Sequence, residues 1–178
     1  IVLPDQFVDR TNQARKTTFF GQGIVAHISF AEPICGALRK IIYNAGKKLG
    51  LAIHDKGVYL NMEGPAFSTR AESHLYKSWG MDIIGMTNMP EARLAREAQM
   101  CFASIAMVTD YDSWREEDVN IGMVVENLLK NVDTAKKLIK KVVPDLSKER
   151  KCGCREALKY AIVTDKKLIP ENTKEKLD

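Results

Sequence analysis

At 178 residues and 45% hydrophobic, the chain is long enough to bury one sizeable core, and its length suits a single domain over residues 1–178. Lys and Arg outnumber Asp and Glu by 27 to 23, but the basic residues are spread along helices instead of gathering with aromatics, which argues against nucleic-acid binding. No uncharged apolar run reaches the roughly 18 residues of a membrane span, so the expectation is a cytoplasmic protein with no membrane partner.

Taken in chain order, Gly21-Gln22-Gly23 is too short to mean a phosphate cradle. His27 follows in an apolar segment, where a lone histidine is by default a satisfied, half-buried side chain. Ile34, Leu38, Ile41, Ile42, Ala45 and Leu49 recur at helical spacing after Pro33, and Gly50 stops that helix. Residues 57–62 read as a strand, punctuated by Glu63-Gly64-Pro65. Thr69 with Glu72 is the start signal of a helix that runs to about Gly80. Residues 81–85 read as a short buried strand that converts directly into a helix, with Asn88 and Glu91 in the form of a capping box and Pro90 in the first turn. Residues 102–109 make the next strand. Beyond it, Ile121, Val124, Val125, Leu128, Leu129, Val132, Ala135, Leu138, Ile139 and Val142 mark an amphipathic helix ended by Pro144. Its stripe is expected to pack on the sheet, and Lys136, Lys137, Lys140 and Lys141 suit its negative end. This alternation implies right-handed crossovers and an α/β fold, a mixed, mostly parallel sheet flanked by helices.

Two strand ends carry the chemistry. The run Cys101 to Thr109 delivers Asp110 and Asp112 to its tip, and on an extended strand both carboxylates project to one side. Ligands in open α/β sheets bind beyond the carboxyl ends of the strands, which is where these acids sit. At the other end, the helix start after Gly85 is expected to aim free N–H groups and a positive dipole end back toward Thr87, a setting for phosphate. Cys35, Cys101, Cys152 and Cys154 lack the spacing of a zinc site, because Cys152-Gly153-Cys154 has no second close pair, so no metal is expected. A bridge within Cys152-Gly153-Cys154 would close a very small, strained and easily reduced ring.

The run from Asp5 to Thr11, His27 with Ala31-Glu32-Pro33, and the runs Glu63 to Ser73, Gly85 to Glu91 and Ala103 to Trp114 together resemble the trimer-forming purine nucleoside phosphorylases. Within them they are most similar to the branch acting on 5'-methylthioadenosine. The resemblance implies a nucleoside phosphorylase-like fold. It also implies phosphate-dependent cleavage of the N-glycosidic bond of 5'-methylthioadenosine, giving adenine and 5-methylthioribose 1-phosphate, with inorganic phosphate as co-substrate and no cofactor. On this pattern Asp110, kept protonated by an apolar pocket and the departing base, is the general acid toward purine N7, and Asp112 accepts from the 6-amino group. Phe67 stacks on the purine, Met86 lines the ribose and Thr87 holds phosphate. His27 is lent to a neighbouring subunit's pocket near the 5' substituent, so a homotrimer or hexamer is implied. In a mesophile's cytosol the four cysteines are expected as free thiols, while the resemblance leaves a Cys35–Cys101 bridge open, because archaeal members of the family often carry disulfides.

The family's early glycine-rich phosphate loop and its arginine and histidine phosphate ligands have no counterpart, so the expectation is the C-terminal portion of a longer enzyme. Two alternatives accompany it. One is a broader purine nucleoside phosphorylase acting on inosine, guanosine and adenosine, whose specialists carry Asn where this chain has Asp110. The other is a nucleoside-binding module without catalysis.

Overall fold

The computed structural model describes residues 1–12, 15–115, 121–147 and 149–177. Three short strands, β1 (Gln6–Arg10), β2 (Val58–Met62) and β3 (Ile83–Gly85), form a parallel sheet in the order β1-β2-β3. Phe7 pairs with Tyr59 and Val8 with Leu60, while Tyr59 pairs with Ile83 and Asn61 with Gly85. Parallel neighbours need crossovers, and the helices α1 (Gly36–Lys48) and α2 (Arg70–Ser78) supply them. β1 escapes a reading of periodicity, because only two of its five residues, Phe7 and Val8, are apolar.

α2 starts as its sequence dictates: the Thr69 hydroxyl accepts from the Glu72 N–H at 3.2 Å, and the Glu72 carboxylate accepts from the Thr69 N–H at 2.7 Å. The next helix, α3 (Glu91–Glu97), does not. Pro90 occupies its cap position, and the capping box expected from Asn88 and Glu91 is absent. Asn88 is buried, and its side-chain oxygen accepts from the Ser104 hydroxyl at 2.6 Å. A stronger tertiary partner has taken the side chain that the local pattern assigned to the helix.

Residues 102–109 are extended but do not join the ladder. Their single bridge is antiparallel, Ala106 to Val2, with both N–H···O bonds at 2.9 Å. Other donors take three more of its carbonyls. The Cys35 N–H reaches the Phe102 oxygen at 2.8 Å, and the Asn131 and Asn127 amides reach the Val108 and Thr109 oxygens at 3.0 and 2.9 Å. The expected strand is therefore replaced by an extended run held at one bridge, by the Cys35 N–H at its start and by two asparagine side chains at its end.

Both asparagines lie on α4 (Ile121–Val142), which ends, as expected, just before Pro144. α4 contacts α1 instead of lying flat on the sheet. Leu138 and Val142 enter a core with Leu3, Ile42 and Ala45, and the partly buried Ala103 and Ile105 pack against it. Fully burying a residue such as Leu3 or Leu138 contributes about 1.5–3 kcal/mol. The rest of the predicted stripe stays outside: Val125, Leu128, Leu129, Val132 and Ile139 are exposed, Leu129 at 65%. The side chains of Ile121 and Val124 lie outside the described set. Past α4 the chain runs through the 3-10 turns Val143–Asp145, Gly153–Glu156 and Lys166–Leu168 to α5 (Glu171–Leu177). Among the described residues no helix is long and apolar enough to cross a membrane.

Candidate active site

The carboxyl ends of β2 and β3 and the end of the 102–109 run are tied together by buried polar side chains. Asn61, in β2, is fully buried, and its side-chain oxygen accepts from the N–H groups of Asn88 and Met89 at 2.9 and 3.2 Å. Asn88 in turn accepts from Ser104 on the third segment. Two amides thus fix the turn that carries Met86 and Thr87, since an unpaired polar atom at such depth would be costly. The same bonds overturn one expectation. The two N–H groups following Thr87 are engaged by Asn61, so they are not free to receive an anion, and Thr87 itself is exposed.

Met86 is set by close packing. Gly64 has φ of +72°, a left-handed conformation that favours glycine, and a methyl group on it would lie 2.6 Å from the Met86 sulfur. Arg15 donates to the Met86 carbonyl at 3.3 Å and lies 3.8 Å from the Glu63 carboxylate, which also accepts from the Asn12 N–H at 3.1 Å. Gly85 is needed for a comparable reason: any β-carbon there would overlap the Tyr59 hydroxyl in the neighbouring strand.

Asp112 is the most elaborately held carboxylate of the group. Its Oδ1 accepts from the Ser68 hydroxyl at 3.1 Å and the Ser113 N–H at 2.8 Å, and its Oδ2 accepts from the Ser73 hydroxyl. A carboxylate offers about four acceptor positions. Among the described residues three are filled, and the fourth, on Oδ2, has no donor. Ser68 and Ser73 belong to the loop and first turn that begin α2, so this network anchors the loop beside Phe67, a residue that is 83% exposed.

Asp110 differs from Asp112 more than an extended strand would allow. It lies at a bend, exposed, and among the described residues its Oδ1 accepts only the neighbouring Thr109 hydroxyl, at 2.6 Å. No strand carries the two acids as an equivalent pair, because α4 has already captured the Val108 and Thr109 carbonyls and the chain turns there. Nor do the described residues enclose Asp110 in an apolar pocket.

His27 stands apart from this group. Its backbone N–H donates to the Ala161 oxygen at 2.8 Å, and its exposed side chain lines a cleft of about 390 Å³ with Glu32, Arg96, Glu156 and Tyr160. Asp112 is thus joined through Ser68 to the loop that carries Phe67, and Met86, next to Thr87, packs on Gly64 at the start of that loop; the cleft lined by His27 has none of these residues in its lining. Sequence reasoning missed Asn61, Ser68, Ser73 and Ser104. For Asn61 a signal exists, an amide inside an otherwise apolar strand; for the serines there is none.

The family model described as Phosphorylase superfamily matches residues 1–144. The chain is 53% identical over 180 residues to the S-methyl-5'-thioadenosine phosphorylase of Geobacter sulfurreducens, an alignment that covers 100% of this chain and 63% of that protein. A methylthioadenosine phosphorylase structure from an antarctic soil metagenomic library superimposes with a TM-score of 0.93 at 44% identity, covering 99% of this chain and 63% of its own. A double mutant of the adenosine/methylthioadenosine phosphorylase of Schistosoma mansoni, in complex with adenine, gives a TM-score of 0.80 at 35% identity, covering 89% of this chain and 64% of its own. The chain therefore spans a little under two thirds of the length of these relatives. Strand order, helices and loops match a nucleoside phosphorylase fold, and the chain belongs to the phosphorylase superfamily.

Proposed function

We propose that the chain is the portion of a pentosyltransferase that grips the purine and ribose of 5'-methylthioadenosine while inorganic phosphate displaces adenine. The observation that carries this reading is the occupancy of Asp112: among the described residues three donors leave one acceptor position, which suits one N–H of an exocyclic amine. Relatives named for methylthioadenosine, one of them holding adenine, point the same way.

As the glycosidic bond breaks, positive charge grows on the sugar and negative charge on the purine. Phosphate, received in part by the Thr87 hydroxyl, stabilises the sugar cation and attacks the anomeric carbon. The electron pair of the broken bond goes to the purine, and Asp110 delivers a proton to N7 as the base departs. Phe67 covers the base face, and Met86, anchored under Gly64, lines the ribose. In this reading the exposure of Asp110 ends when the base itself covers it. The reaction calls for no cofactor beyond phosphate.

The reading includes a homo-oligomer, trimer or hexamer, in which His27 completes a neighbour's pocket; its exposed position away from Asp112 supports that role. It treats residues 1–178 as one phosphorylase-type domain. It also places the protein in the cytoplasm, a reducing setting that suits the free thiols.

A second reading extends the substrates to adenosine, favoured by the relative named for both adenosine and methylthioadenosine. Side-by-side assays of the full-length protein with methylthioadenosine, adenosine and inosine in phosphate decide between them. Methylthioadenosine turnover well above adenosine supports the first reading, equal turnover the second, and preference for inosine defeats both.

A further inference from the structure

Three separate stretches bring their cysteines to one point. Cys35 stands at the cap of α1, Cys101 opens the extended run, and Cys152 and Cys154 flank the start of the turn Gly153–Glu156. Their four sulfur atoms all lie within 4.8 Å of one another, and those of Cys101 and Cys152 are 3.4 Å apart. Cys35 and Cys154 are buried. A tetrahedral cation with metal–sulfur bonds of about 2.3 Å holds its sulfurs roughly 3.8 Å apart, so the observed spread brackets that geometry.

The convergence does not depend on the sulfurs alone. The Cys35 N–H donates to the Phe102 oxygen at 2.8 Å, which locks the first cysteine beside the second. Arg150 donates to the Gln99 carbonyl at 2.8 Å, and the Leu158 N–H reaches the Gln99 side-chain oxygen at 3.4 Å, which together hold the Cys152–Cys154 loop over Cys101. Spacing along the chain excludes a zinc site because it looks for two close pairs. The fold supplies the second pair from residues far apart in sequence.

A divalent metal would stabilise all four as thiolates, each thiol releasing its proton to solvent on binding.

We propose that Cys35, Cys101, Cys152 and Cys154 form a closed tetrathiolate site for one divalent cation of the zinc class, which fastens the C-terminal segment to α1 and the 102–109 run. Four thiolates in tetrahedral array select zinc among common divalent ions, and with no open coordination position the site is structural. It takes no part in glycosidic cleavage.

The test is a cobalt(II) titration of the full chain, reduced and freed of metal by a chelator, in the absence of oxygen. The expected result is intense thiolate-to-cobalt charge-transfer absorption with the visible bands of a tetrahedral site, saturating at one cobalt per chain and bleached by equimolar zinc. Cys35→Ser should remove the tetrathiolate spectrum. Cys152→Ser, at a less buried position, should do the same with the fold retained by circular dichroism, so a folding failure of the first variant does not blunt the test. The proposal is overturned if the reduced, folded chain takes up no cobalt, or if the full spectrum survives in either variant. It is also overturned if the thiols pair as two disulfides and, once reduced, give no charge-transfer band.

Discussion

The Ser68 hydroxyl donates to Asp112 Oδ1 at 3.1 Å, joining the loop that follows β2 to the tip of the 102–109 run. Ser73, one turn into α2, donates to the other carboxylate oxygen. Asp112 is therefore oriented before any ligand arrives, and removing one hydroxyl should loosen it. Ser73→Ala is expected to raise KM for methylthioadenosine by roughly 10-fold to 100-fold, the worth of one hydrogen bond to a charged group, with a smaller effect on kcat. Steady-state kinetics beside a melting curve check this; an unchanged KM in a folded variant would show that Asp112 does not meet the base.

Asp110 has no comparable harness, which fits a group that moves a proton instead of fixing a ligand. Asp110→Ala should slow phosphorolysis by roughly 100-fold to 10,000-fold, the range for loss of general acid catalysis. Asp110→Asn should shift preference from aminopurines toward 6-oxopurines, because an amide donates to the 6-oxo group that a carboxylate repels. Near wild-type turnover of the alanine variant, or an unchanged ratio of inosine to adenosine turnover in the asparagine variant, would remove Asp110 from contact with the base.

Asn61 makes a stability prediction of a different kind. Asn61→Leu keeps the volume but leaves the Asn88 and Met89 N–H groups buried without an acceptor, at a cost of about 1–3 kcal/mol each. Urea denaturation should show that loss, and activity should fall with it because Met86 and Thr87 lie on the turn these bonds hold. A loss below about 0.5 kcal/mol would mean that the turn finds other partners, since surface-like substitutions stay within that range.

How far the sequence carries differs from element to element. Thr69 and Glu72 announce α2 because both partners of the capping box lie within one turn, and local chemistry settles the matter. Asn88 and Glu91 have the same signature and fail, because Ser104 and Asn61 compete for Asn88 from segments distant in the chain. The run at 102–109 has the composition of a strand, yet its pairing depends on what lies beside it, and α4 offers Asn127 and Asn131 in place of a ladder. Phe67 and Met86 enter only through the family resemblance, whereas Thr87, Asp110 and Asp112 are readable as residues at the ends of extended segments. Their unequal exposure is not, because it arises from Ser68, Ser73 and Gly64 at other places in the chain. The cysteines show the same limit, since their proximity belongs to the tertiary structure alone.

His27 offers a test of assembly. If each site borrows it from an adjacent subunit, mixing His27→Ala with Asp110→Ala subunits should restore some activity, because certain interfaces pair an intact acid with an intact histidine. His27→Ala alone should weaken methylthioadenosine binding and leave phosphate affinity nearly unchanged. Mixed oligomers that exchange subunits yet recover nothing would place His27 and Asp110 in one subunit's site.

The most direct measurement is the stoichiometry of phosphate and base. Full-length protein given methylthioadenosine should release adenine only when phosphate is present, consuming one phosphate for each adenine and forming a sugar 1-phosphate. Adenine release that continues at the same rate without phosphate would make the reaction a hydrolysis, and no release in either condition would leave a binding module in place of an enzyme.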